Sequence, residues 1–349
     1  MLKIGFHIAI SPDIKFYSRI KWLRKSLDYL GEPYNKSVFH ICLSNENNIT
    51  IDSVINSFPE FHENKSRYFF YLTDRHQFEE YSYAETAGLR FKNIDDSDIT
   101  IFCDADIFFV NEIDNLINAV KEKKGIYGVI AHYSPFSNFG KSIEDSWNNI
   151  AQKIIGEKLD LKYTHSLKKT DKCPAYFNFG FVIGDKESWN KIKDYAYKNF
   201  KEVFHSLPSN DPNYITGPKF FCMQVSLSLV LQKFKIKTYP INEIFNCANE
   251  EAMLPLINNK TEDIRVIHYL RNKLYDRDKI FVDNQATLDF LKMKKLDPIS
   301  LKFQSRVNDI FKKYEIENVV QNQSFVKKIV NKLVKIIPSY KKQGLKLEG

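Results

Sequence analysis

The sequence predicts an α/β protein, a mixed and mostly parallel sheet flanked by helices, followed by a C-terminal helical tail. Three observations predict it: short apolar runs recur between residues 3 and 270, amphipathic helical stretches separate them, and neither an internal repeat nor a low-complexity linker divides the chain. A chain of 349 residues can bury one large core, which we place in a domain at 1–300 with the tail at 301–349.

Lys3 to Ala9 reads as a buried strand, Ser11-Pro12-Asp13 as a turn, and Tyr17, Ile20, Leu23, Leu27 and Leu30 as one face of a helix stopped by Gly31. Val38 to Leu43 and Tyr68 to Leu72 are further strands, and Phe78 to Phe91 reads as one Tyr-rich helix. The acidic turn at 95–98 leads into Ile99 to Cys103, a strand that ends in carboxylates. Ile126 to Ala131 is a strand, Ile143 to Ile155 a helix, Tyr176 to Ile183 an aromatic strand and Lys186 to Phe204 a helix. Leu207 to Lys219, with three prolines and a glycine, is a loop able to close over a ligand. Phe220 to Gln232 reads as a helix, Lys237 to Ile241 as extended and Arg265 to Leu270 as the last strand.

The net charge of +8 favours anionic partners without specifying nucleic acid, and the five cysteines contain no CxxC pair, which argues against a disulfide framework and a zinc site. The first apolar run is too short for a signal-peptide core and no stretch is long enough for a membrane span, so the expected location is cytoplasmic.

Chemistry concentrates at Asp104-Ala105-Asp106, set between Ile99-Thr-Ile-Phe-Cys103 and Ile107-Phe-Phe-Val110. Two carboxylates in so apolar a segment are costly without a counter-charge. In extended backbone, positions i and i+2 project to one side, so both carboxylates can face one cation, and oxygen ligands of this type suit Mg2+ or Mn2+. A solvated turn joining two strands is the plainer alternative.

These residues resemble the nucleotide-sugar glycosyltransferases of the GT-A fold, a Rossmann-like sheet, and most nearly glycosyltransferase family 8. The resemblance lies in five elements in order over roughly residues 1 to 285. Residues His7 to Asp13 resemble the nucleotide-binding strand and loop, and 98–106 the metal-binding strand. Tyr176-Phe-Asn-Phe-Gly180 resembles the strand lining the sugar pocket, with Phe179 where the family commonly has Ser. Phe220-Phe-Cys-Met-Gln224 resembles the Asp-Gln segment, with Met223 in place of the acid, and 264–268 the strand whose His is the third metal ligand.

The resemblance implies Asp104, Asp106 and His268 as metal ligands, with His7, Ala9, Asp13, Arg90, Asp104, Ala105, Arg271 and Lys273 around the nucleotide. Arg271 stands at a Gly position and Lys273 one residue early in the family's H-x-x-G-x-x-K, yet either cation could neutralise a diphosphate. Gln224 and Asn178 would shape the donor face; Arg75 is a further phosphate candidate. The implied reaction moves a hexose from a nucleotide sugar, UDP-linked, to a saccharide or lipid-linked glycan with retention; an inverting reaction would need a base such as Asp211, Glu250 or Glu251. A nucleotidyltransferase would favour a Gly-rich loop near the N-terminus, where residues 4–13 hold only Gly5, and a catalytically silent sugar-binding scaffold is the third reading.

In 324–337, apolar pairs recur at helical spacing opposite Lys327, Lys328, Lys332 and Lys335. Such a helix suits an anionic membrane surface met through residues 324–343; docking on its own domain or on a second subunit is the alternative, and nucleic acid is not expected because Lys327 to Lys335 are not interleaved with aromatics and no recognised module surrounds them.

Overall fold

The structure is a computed structural model that describes residues 2–46, 48–136, 142–207, 219–270 and 274–315. In chain order the first elements are β1 (Ile4–Ile10), α1 (Ile14–Leu30), β2 (Val38–Leu43), α2 (Ile51–Ser57), α3 (Pro59–Glu63), β3 (Tyr68–Leu72), α4 (Arg75–Tyr81), α5 (Tyr83–Lys92) and β4 (Ile99–Cys103). Next come β5 (Ile107–Phe109), α6 (Asp114–Glu122), β6 (Ile126–Ile130), α7 (Ile143–Ile155), β7 (Tyr163–Thr164), β8 (Lys172–Cys173), β9 (Phe177–Asp185) and α8 (Lys186–Ser206). The last are α9 (Cys222–Lys233), β10 (Thr238–Pro240), β11 (Cys247–Ala248), β12 (Val266–His268), α10 (Asn284–Leu291) and α11 (Pro298–Ile310).

Seven strands form the main sheet in the order β10-β6-β9-β4-β1-β2-β3, parallel except for β9, which runs antiparallel to both neighbours. Alternate residues of β1 face opposite sides. Ile4, Phe6, Ile8 and Ile10 pack on one side with Ile20, Leu23 and Leu27 of α1 and Leu116 and Val120 of α6. On the other side Ala9, Cys42 and Phe102 meet Phe91 of α5, Trp189 and Ile192 of α8 and Leu229 of α9. Helices on both faces explain why the strands read as unbroken apolar runs. The Trp189 ring stacks on Phe102 at 4.4 Å, and its Nε1 donates to the Thr100 carbonyl at 3.2 Å.

The sequence predicts one helix over Phe78 to Phe91; the structure has two. Ser82, at φ 52°, ends α4 by donating its N–H to the Phe78 carbonyl, and the break lets Tyr83 donate its hydroxyl to the Ala9 carbonyl at 2.7 Å. The segment 208–218, most of the expected loop, lies outside the described residues. Contacts divide the chain after Phe303, inside α11, and the part beginning at Gln304 is described only to residue 315. The expected membrane-facing residues 324–343 lie outside the described residues. Among the described residues no helix is long and apolar enough to cross a membrane.

Candidate functional site

After β4 the chain leaves the main sheet and enters a three-stranded sheet ordered β11-β12-β5. Asp104-Ala105-Asp106 makes that crossing, and its backbone is a turn, not the extended strand the sequence suggests. The neighbouring strand fastens the turn: Tyr269 donates its N–H to the Asp106 carbonyl at 3.0 Å and its hydroxyl to the Ala105 carbonyl at 3.4 Å. β12 runs antiparallel to β5 with His268 opposite Ile107, which brings the imidazole to the carboxylates. His268 Nε2 lies 3.2 Å from Asp106 Oδ1 and 3.8 Å from Asp104 Oδ2. The ligand atoms of Asp104, Asp106 and His268 lie within 4.8 Å of one another, and two carboxylates with one imidazole are a donor set that fits Mn2+ or Mg2+.

Gly180 of β9 makes room for this arrangement. A Cβ there would come within 2.5 Å of His268 Nδ1 and 2.6 Å of Asn246 Oδ1, closer than real Cβ atoms approach. Asn246 is buried, and among the described residues neither its side-chain oxygen nor its nitrogen has a hydrogen-bond partner.

Two guanidiniums balance the two carboxylates. Arg277 pairs through Nη1 with Asp106 Oδ2, and Arg90 Nη1 stands 4.0 Å from Asp104 Oδ1. Burial alone would raise the Asp106 pKa, but the charges of His268 and Arg277 outweigh it and hold the carboxyl well below the usual range. Asp104 moves up, driven by burial and by the charge of Asp106. Burial alone would lower His268, yet Asp106 and then Asp104 raise it above an ordinary histidine.

The other expected residues fall in several settings. Arg90 is buried in α5, its guanidinium 4.8 Å from the Phe179 ring, so the Phe in the family's Ser position covers the cation beside Asp104. Asn178 is half-buried, and its Oδ1 accepts the Gly180 N–H at 2.8 Å. Gln224 is half-buried in the first turn of α9, while Met223 is buried. Asp13 caps α1, its Oδ1 accepting the Lys15 N–H at 2.8 Å. Ala105 and Ala9 are buried and each offers its carbonyl to a tyrosine hydroxyl. Arg75 is exposed and paired with Glu79 at 2.8 Å, and Glu250 and Glu251 are exposed. Arg271, Lys273 and Asp211 lie outside the described residues.

His7 has a different environment from the one expected at a nucleotide pocket. It is fully buried in mid-strand, its ring stacked on His40 at 4.4 Å, with Asp95 Oδ1 3.6 Å from its Nε2. His7, His40 and Asp95 form a second group whose ligand atoms lie within 4.8 Å. Sequence reasoning missed Arg277, Asn246 and the polar neighbours of His7, because none carries a local motif. It also missed His132 after β6, whose Nδ1 lies 2.6 Å from Ser166 Oγ and whose pKa burial and the charge of His268 push down to about 4.

Comparison with curated proteins finds no match. Among solved structures the chain is similar to the galactosyltransferase LgtC in complex with donor and acceptor sugar analogues, at 14% identity over 85% of this chain and 98% of that one with a TM-score of 0.46. It is also similar to apo mouse xyloside xylosyltransferase 1, at 9% identity over 77% and 98% with a TM-score of 0.42. With the apo form of the glycosyltransferase GlyE of Streptococcus pneumoniae TIGR4 it shares 9% identity over 91% and 64%, with a TM-score of 0.47. The model of Glycosyl transferase family 8 matches residues 34–274, well over half the chain and with it the Asp104-Ala105-Asp106 turn and His268, so the chain belongs to that family and is a glycosyltransferase.

Proposed function

We propose that the chain transfers a hexose from a UDP-linked donor to a saccharide or lipid-linked glycan acceptor, with retention at the anomeric carbon and with Mn2+ or Mg2+ held by Asp104, Asp106 and His268. The observation that carries this reading is the convergence of those three side chains, from two chain segments, to within 4.8 Å. Family membership supports the nucleotide-sugar donor.

When bound there, a divalent ion supplies Lewis-acid neutralisation of the charge that develops on the leaving diphosphate. The chain's own residues do the rest. His268 and Arg277 keep Asp106 ionised. Asn178, its oxygen committed to Gly180, has its amide nitrogen to donate to a donor-sugar hydroxyl, and Gln224 would supply a second amide to the donor. The backbone around Ala9 and the loop to Asp13 would hold the nucleotide. Residues 324–343 would bring the enzyme to a membrane carrying a lipid-linked acceptor.

The test is binding and hydrolysis of UDP-, GDP- and CMP-linked sugars by the full chain and by Asp106→Asn, with and without Mn2+. Metal-dependent turnover of UDP-hexoses, lost in the variant, is the expected result. If no nucleotide sugar binds with metal present, the reading fails and a sugar-binding scaffold of the same fold replaces it.

A further inference from the structure

Both oxygens of Asp106 already have partners, His268 Nε2 at 3.2 Å from Oδ1 and Arg277 Nη1 on Oδ2, and the side chain is only 11% exposed. Asp104 differs: its side chain is 36% exposed, and the Arg90 guanidinium stands off from it at 4.0 Å. A divalent ion ligated by both aspartates therefore finds one oxygen accessible and another held by a cation. The ion and a guanidinium on one carboxylate would repel each other across a few ångströms of low-dielectric surroundings.

Arg277 also has a second hold. Its Nε lies 3.7 Å from Asp278 Oδ1, and Asp278 pairs with the buried Arg19 of α1. A guanidinium displaced from Asp106 would thus stay next to the site, where a diphosphate on the ion offers oxygens matched to its planar fork.

We propose that Arg277 competes with the divalent ion for Asp106 and passes to the diphosphate when the donor arrives, so that the ion and a nucleoside diphosphate bind with strong mutual enhancement. The proposal rests on the metal-dependent reading above and deepens it. It makes Arg277 a donor-binding residue, and it makes the site bind the ion weakly until the nucleotide is present.

The experiment measures Mn2+ binding to the full chain by the electron paramagnetic resonance signal of free Mn2+, with and without UDP. It compares wild type, Arg277→Lys, Arg277→Gln and Asp106→Asn. Arg277→Gln should bind Mn2+ alone about tenfold more tightly than wild type, and the enhancement by UDP, about a hundredfold in wild type, should fall to about tenfold or less. Arg277→Lys keeps the charge but not the fork and should fall between them; being the milder change, it reads the same competition if the glutamine variant does not fold. Either variant binding Mn2+ alone no more tightly than wild type overturns the competition, and it leaves the metal reading intact if Asp106→Asn loses Mn2+. Absence of Mn2+ binding in wild type and both Arg277 variants, with and without UDP, overturns both.

Discussion

The same strand carries two groups of histidine and aspartate, Asp95 before the amino end of β4 and Asp104 and Asp106 after its carboxyl end, and the two groups differ in what they can hold. In the second group His268 Nε2 faces both carboxylates, and Asp104 keeps a third of its side-chain surface in solvent. In the first, the His7 and His40 rings lie 5° from parallel, so their in-plane lone pairs run side by side and do not converge on one ion. The group also lies under the α5 side of the sheet, whereas ligands of open α/β sheets bind beyond the carboxyl ends of the strands. Proximity of ligand-type atoms is therefore not enough: lone-pair direction and place relative to the strand ends distinguish the candidate metal group from the group around His7.

The largest expected effect sets the groups directly against each other. Asp104→Asn should lower Mn2+-dependent turnover of the donor about a thousandfold, beyond the ~10–100-fold that outer partners of a metal are worth, while His40→Asn stays within about twofold of wild type in the same assay. A comparable loss in both would dissolve the distinction.

Next comes a pH effect belonging to the buried group. Burial drives His7 down from 6.5 to about 4, against the opposing pull of Asp95. As pH falls below 6.5 the unfolded chain takes up the proton first, so stability declines between pH 6.5 and 4 by about 3 kcal/mol from this group. Urea unfolding across that window should show a decline smaller by about that amount in His7→Gln; identical slopes would remove His7 from the balance.

Gly180→Ala sharpens the other side. The added methyl meets His268 and Asn246, and Mn2+ affinity should fall about tenfold at constant Asp104 and Asp106 chemistry. Unchanged affinity would mean that His268 does not need its present position. The smallest effect is expected from Ser97→Ala, which removes the 2.8 Å hydrogen bond to Asp95 and should cost about 1 kcal/mol in urea unfolding without altering Mn2+ binding.

The limits of legibility follow from range. Val38–Leu43, Tyr68–Leu72, Ile99–Cys103 and Ile143–Ile155 have the same bounds in sequence pattern and in structure, because burial imposes a period that neighbouring residues record. The Ser82 break was not legible: the helical pattern continues through it with no glycine or proline beside it, and a positive φ at a serine leaves no trace in periodicity. Arg90 could be read as a cation near a helix end, but its burial beside Asp104 under Phe179 belongs to packing between α5 and β9.

By itself the sequence determined the alternation of strands and helices and singled out Asp104, Asp106 and His268 as candidate ligands, since local patterns and a family's motif order are written along the chain. Only the tertiary structure decided that Arg277, 171 residues from Asp106, neutralises it, that Gly180 makes room for His268, and that His7 faces His40 and Asp95 within the core. Charge pairing and close approach depend on distance through space, and residue order does not encode that distance until the sheets have formed.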